Sequence, residues 1–320
     1  MVLRTAVNAL ALHVRESVDP AMYEEFYGLK SKPFQMIPDP AFLYWSENHL
    51  MAFTMLNYGI LNASPLTVIT GDVGTGKTTL LRQLLEEFPA EMEVGLISNL
   101  QDGKGELLEW ALMAFGQSFE GSHVERFKRF RDFVVEVYGS GRHVILIVDE
   151  AQNLGIGQLE ELRMLSNINA ERDQLLQIIL VGQPELRDML NRPELRQFSQ
   201  RITSDFHLRP LEAHEVQGYI QRRLAVAGIG PEREIFPRRT CELIMHATGG
   251  VPRLINTLCD LCLVCGFSAG RHVIDEDILR DLAGGMERNG IFNQLEPLSG
   301  APRLVQSGDD RAPAPKQAPK

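Results

Sequence analysis

The sequence predicts a three-layer α/β domain built on a parallel sheet, followed by a small all-α domain. Three observations carry this. Five short apolar segments between residues 66 and 208 are separated by amphipathic stretches. A glycine-rich loop joins the first of them directly to a helical pattern, and no strand pattern follows Pro210. Short apolar strands covered by intervening helices bury a sheet on both faces, and right-handed crossovers place the helices in two layers about it.

Residues 1–21 show little pattern and are expected to be an added arm or a mis-called start. Residues 22–65 form a denser segment, expected to pack near the nucleotide, in which Pro33, Pro38 and Pro40 force an extended or turning chain. Helical periodicity begins near Glu47, with Leu50, Phe53, Met55, Leu56 and Ile60 as its apolar stripe. The α/β core, residues 66–210, has predicted strands at Leu66–Thr70, Glu93–Asn99, His143–Asp149, Gln177–Val181 and Ser204–Leu208. Its helices are expected at about 77–88, 104–117, 124–138, 157–169, 184–190 and 193–199. Residues 211–285 read as four helices, at 213–228, 237–248, 251–266 and 275–283. From 286 to 320 the chain is expected to be mostly disordered, since its Pro-, Gly- and Ala-rich end cannot bury a core.

Composition narrows the function classes. The 320 residues are 44% hydrophobic and 23% charged, an ordinary globular balance. No apolar run, Val144–Val148 included, approaches the ~18 residues that mark a membrane-spanning helix. A net charge of −10 argues against a constitutive coat on nucleic acid, which needs concentrated basic surface. Four cysteines are too few for a disulfide scaffold and point to a reducing, cytoplasmic setting.

The strongest motif is Gly71-Asp72-Val73-Gly74-Thr75-Gly76-Lys77-Thr78, a full match to the phosphate-binding loop in its required strand–loop–helix context. Its backbone N–H groups would wrap a polyphosphate at the helix N-terminus. Lys77 would reach the β- and γ-phosphates of ATP, the Thr78 hydroxyl would ligate Mg²⁺, and Thr79 would cap the helix or touch the α-phosphate. A second element, Val144–Val148 running into Asp149-Glu150, puts two carboxylates at the C-terminal edge of a central strand, where open α/β sheets bind ligands. Asp149 is expected to hold the Mg²⁺ shell and Glu150 to polarise the attacking water. Gln183, after the strand ending at Val181, would hold the water or the γ-phosphate, and Asn99 would hydrogen-bond Glu150 in the resting state.

Two weaker signals read as structure. Cys259, Cys262 and Cys265 are spaced along one drifting helix face and pack as small hydrophobes rather than hold a cluster. In Arg126-Phe-Lys-Arg-Phe-Arg131, Phe127 and Phe130 join Val134 and Val137 as the buried stripe while the charges face outward; an anionic partner such as DNA is the minor reading.

Phosphate loop, Asp-Glu pair, polar residue on the next strand, late arginine and helical lid together resemble an AAA+ ATPase of the P-loop NTPase class. The resemblance implies a five-stranded sheet in the order 5-1-4-3-2. It also implies Arg201 as a finger supplied to a neighbouring subunit, with Arg196 as runner-up, and Arg253 as the lid residue that senses nucleotide. Phe26-Tyr27-Gly28-Leu29, Lys32-Pro33-Phe34, Pro38-Asp39-Pro40, Tyr58-Gly59-Ile60, Val181-Gly-Gln-Pro-Glu-Leu186 and Gly249-Gly-Val-Pro-Arg-Leu-Ile-Asn256 narrow it to the ExeA-like group, general secretion pathway protein A. Related groups are the ATPases of exopolysaccharide or exosortase loci and the transposition ATPases of the phage Mu B type. Members of the secretion group continue into a transmembrane helix and a peptidoglycan-binding domain, and residues 298–320 carry neither pattern. The resemblance implies ATP hydrolysis in a ring or filament of this chain, acting on a protein partner at the cytoplasmic membrane face in secretion or envelope export. An ATP-switched DNA-binding regulator of transposition type is the alternative.

Overall fold

The computed structural model describes residues 23–89, 91–98, 105–170 and 173–289. Residues 1–21, Asn99 and residues 290–320 lie outside the described residues, and with them the readings of an N-terminal arm, of the Asn99–Glu150 contact and of nearly all the tail.

Five parallel strands form the central sheet: β1 (Leu66–Gly71), β2 (Met92–Ile97), β3 (His143–Val148), β4 (Leu176–Gly182) and β5 (Ile202–Leu208). Their order is β2-β3-β4-β1-β5, the arrangement implied by the resemblance. Alternation along each strand sorts the side chains onto two faces. Val144, Leu146 and Val148 of β3 share one buried cluster with Leu176, Ile178 and Leu180 of β4. Ile145, Ile147, Ile179 and Val181 from the same strands enter the opposite cluster. The register pairs Val144 with Leu176 and Leu146 with Ile178, so both faces stay continuous across the sheet.

Helices α1 (Glu24–Tyr27) and α2 (Glu47–Leu61) precede the sheet, and α3 (Lys77–Glu87) follows β1. Next come α4 (Leu107–Ala114), α5 (His123–Gly139), α6 (Ile156–Leu165), α7 (Pro184–Leu190) and α8 (Arg196–Ser199). The single helix expected at 193–199 is a 3₁₀ turn, Pro193–Leu195, leading into α8, because proline opens that turn and the chain re-caps at Leu195. A hairpin of two-residue strands, Asn169–Ala170 with Asp173–Gln174, had no sequence signal long enough to read.

The all-α domain comprises α9 (Ala213–Val226), α10 (Arg238–Thr248), α11 (Pro252–Ser268) and α12 (Glu276–Asn289), the last running beyond the expected end at 283. Its core takes in Tyr23, Tyr27, Leu29, Phe34 and Phe42 from the segment ahead of the sheet. The Tyr27 hydroxyl donates to the carbonyls of Leu263 and Arg271, at 3.2 and 3.0 Å. Cys259 and Cys262 are fully buried in the same core, and burial pushes both thiols well above their ordinary range.

Two predicted faces are corrected. On α2 the buried positions are His49, Ala52, Leu56, Gly59 and Ile60, whereas Leu50 and Met55 are exposed. His49 lies inward against the glycine-rich loop, its Nε2 3.0 Å from the Thr75 carbonyl. On α5, Phe130, Val134 and Val137 are buried as expected, but Arg126 is buried with them, between Glu106 and Glu109. Arg129 donates to the carbonyls of Ser118 and Glu120, and Arg131 pairs with Asp132. Two of the run's four cations, Arg126 and Arg131, are thus paired with carboxylates within the chain.

Among the described residues no helix is long and apolar enough to cross a membrane.

Candidate nucleotide site

The site lies at the C-terminal edge of the sheet, where β1, β3 and β4 end side by side. β1 is buried throughout and delivers Gly71 against β5, whose Leu208 carbonyl would lie 2.6 Å from a Cβ at residue 71. The loop then turns through Gly74 at φ +84°, where a side chain would also strike Arg253 Cβ at 2.5 Å. Lys77, 8% exposed, opens α3 and donates its ammonium to the carbonyls of Gly71 and Asp72, at 2.6 and 2.9 Å. Burial pushes its pKa down, against the pull of Glu150, Asp149, Asp72 and Glu185. A compact positive charge, ready to exchange carbonyls for phosphate oxygens, sits at a helix N-terminus.

Across from it, β3 ends in Asp149 and Glu150. Asp149 is 9% exposed, and among the described residues its carboxylate accepts one hydrogen bond, from the Glu150 N–H at 2.9 Å. Burial raises its pKa and the neighbouring Glu150 charge adds to this, while that N–H and Lys77 oppose. A buried, under-bonded carboxylate beside the hydroxyl-bearing loop has the chemistry of a Mg²⁺ ligand. Glu150 holds φ +53°, a left-handed conformation that is costly outside glycine and characteristic of functional turns.

That strain aims the Glu150 carboxylate at two amides. Gln152 Nε2 donates to Glu150 Oε2 at 2.6 Å and Gln183 Nε2 donates to the same oxygen at 3.2 Å. Gln152 Oε1 in turn accepts from the Gln183 N–H at 2.9 Å, tying the ends of β3 and β4 together. Gln152 was not singled out in the sequence; the available signal was its place two residues past the Asp-Glu pair.

A cleft of about 310 Å³ joins these parts: Val73, Gly74, Gly76, Lys77, Thr78, Thr79, Glu150 and Gln183 line it from the core, and Arg253 from the lid. The Arg253 N–H donates to the Gly74 carbonyl at 3.2 Å. Three further contributors had no local signal: Met36 and Ile37, exposed and apolar, and Arg223 of α9. Arg223 is buried, donates to the carbonyls of Pro33 and Gln35 at 2.6 and 3.2 Å, and stacks over Phe42. It thereby straps the segment carrying Met36 and Ile37 to the lid.

Arg201 does not reach this cleft. Its guanidinium donates to the Ser166 carbonyl and hydroxyl, at 3.2 and 2.9 Å, and to the Asn167 side chain. Arg196 is exposed on α8.

Residues 62–190 match the family model described as AAA domain. Residues 62–190 thus carry an AAA domain. The chain is 40% identical over 255 residues to general secretion pathway protein A of Aeromonas hydrophila, covering 79% of this chain and 46% of that protein. It therefore spans about half the length of that curated relative. Among solved structures, the AAA core and lid resemble the Aeropyrum pernix ORC2 protein at 17% identity and TM-score 0.58, covering 79% of this chain and 71% of that one. CDC6P from Pyrobaculum aerophilum is similar at 16% identity and TM-score 0.59, covering 78% and 71%. At such identities these structures speak for the fold alone. An AAA domain implies nucleotide binding.

Proposed function

We propose that this chain hydrolyses ATP and couples turnover to assembly with further copies of itself and to remodelling of a protein partner in secretion or envelope export. The observation that carries hydrolysis, beyond binding, is the Glu150 carboxylate, held by Gln152 and Gln183 in the same cleft as Lys77. Glu150 would orient water for attack on the γ-phosphorus and accept its proton, while Gln183 steadies the water or the γ-phosphate. Lys77 would take up charge on the β- and γ-phosphate oxygens, and the loop amides would cradle the polyphosphate. Thr78 and Asp149 would hold Mg²⁺, which when bound adds positive charge against the phosphates. Arg253, attached to the loop through Gly74, would report the nucleotide to the lid.

Arg201, with Arg196 as the second candidate, would serve a neighbouring subunit's phosphate. Secretion is the process named for the Aeromonas relative, and this chain is proposed to act at the cytoplasmic face of the membrane. The pairing of Arg126 and Arg131 on α5 with carboxylates weighs against the DNA-switch reading.

The test is ATP binding and turnover per subunit in the full chain, with and without double-stranded DNA. Lys77→Ala is expected to abolish binding, and Glu150→Gln to bind ATP while turning over at least about a hundredfold more slowly. Near-normal turnover in Glu150→Gln would remove Glu150 as base. Turnover seen only with DNA would put the DNA switch first.

A further inference from the structure

We infer that His49 and Glu215 are positioning residues that link the phosphate loop to the lid through the first turn of α2. The inference rests on the reading of the cleft as an ATP site. Three consecutive residues at the start of that helix, Glu47, Asn48 and His49, bind different parts of the molecule. Ser46 caps the helix, its hydroxyl accepting from the His49 N–H at 3.1 Å and lying 2.7 Å from His49 Nδ1. The Glu47 N–H donates to Glu215 Oε1 of lid helix α9 at 3.0 Å. Asn48 Oδ1 accepts from the Arg209 N–H, in the connection between sheet and lid, at 2.8 Å. His49 Nε2 lies 3.0 Å from the Thr75 carbonyl inside the phosphate loop, and a Cβ at residue 76 would stand 2.9 Å from the same nitrogen.

The chemistry fixes the proton positions. A carbonyl only accepts, so Nε2 carries the hydrogen; Nδ1 is then the acceptor and the Ser46 hydroxyl donates to it. The imidazole is 3% exposed, and burial pushes its pKa below the ordinary value, against the Thr75 hydrogen bond and the Glu215 charge. It is a neutral strut with both nitrogens used. Glu215 is 5% exposed, and its second oxygen accepts from the Glu212 N–H at 2.9 Å. One buried carboxylate thus closes the N-termini of two helices, the lid's α9 and the α2 that holds the loop. Helix α9 also carries Tyr219 and Arg223 into the cleft. Lid and loop cannot shift independently while these two side chains stay engaged.

Calorimetric titration with ATPγS and Mg²⁺ on the full chain tests the link. His49→Leu keeps bulk but removes the donor, and is expected to weaken binding about tenfold. His49→Gln, whose amide can donate to Thr75, is expected to recover to within about threefold of wild type. Glu215→Gln, outside the cleft, is expected to weaken binding about threefold, and the His49→Leu/Glu215→Gln double variant to bind no more weakly than His49→Leu. Ser46→Ala, which removes the hydroxyl feeding Nδ1, is the gentler variant should His49→Leu fail to fold, with about threefold weaker binding expected. Wild-type affinity in Glu215→Gln, or effects that multiply in the double variant, would overturn the link and leave the ATP site standing. Absence of binding by wild type would overturn both.

Discussion

Glu150 is read most easily from the sequence and explained least by it. Two carboxylates after five apolar residues mark the C-terminal edge of β3, yet Glu150 is held by Gln152, which also accepts from the Gln183 N–H at the end of another strand. If Gln152 aims the base and otherwise stays clear of the nucleotide, Gln152→Ala will lower kcat by up to about a hundredfold while KM for ATP changes little. A rise in KM at unchanged kcat would make it a binding residue instead. His49, Glu215 and Arg223 were equally invisible, because each acts through one or two hydrogen bonds to segments far away in the chain. Periodicity and motif spacing report only what neighbours in sequence do. The phosphate loop is the opposite case: its glycines, lysine and threonine are contiguous, so the chemistry and the signal coincide.

At the scale of elements, the strands were legible because a sheet buried on both faces needs unbroken apolar runs, and Val144–Val148 and Ile178–Val181 are such runs. Faces of helices were less legible where a polar residue is buried for a reason outside the helix. Arg126 enters the interior of α5 because Glu106 and Glu109 meet it there, and His49 of α2 lies inward against the phosphate loop. Capping of α5 is local: Ser122 and Glu125 form a reciprocal box at its start, with Glu125 Oε2 accepting from the Ser122 N–H at 2.7 Å. Ser122→Ala should cost about 1 kcal/mol and lower the melting temperature by roughly 2–4 °C. An unchanged melting temperature would show that α5 is held by its buried face alone.

For the whole molecule, the two-domain layout and strand order followed from the sequence and its resemblance, whereas the allotment of residues 23–44 to the lid's core did not. The trans-acting role proposed for Arg201 belongs to this scale, since within one chain its guanidinium is spent on Ser166 and Asn167. Turnover per subunit should therefore rise with protein concentration. Arg201→Ala should be inactive alone and regain part of its activity when mixed with Glu150→Gln, because the mixture restores sites with both groups. If no activity returns, Arg201 serves only to brace the start of β5.

The lid core, shared between the two ends of the described chain, also sets an order of events during synthesis. Tyr23 meets Asp260 across 237 residues of sequence. The sheet and its helices have all their parts once residue 208 has left the ribosome, but the aromatic side chains at 23–42 wait for α9 to α11 before they can be buried. Lid closure is then the last and most non-local step of folding, with those early aromatics exposed throughout translation of the core. A chaperone that shields them would act before the nucleotide site exists.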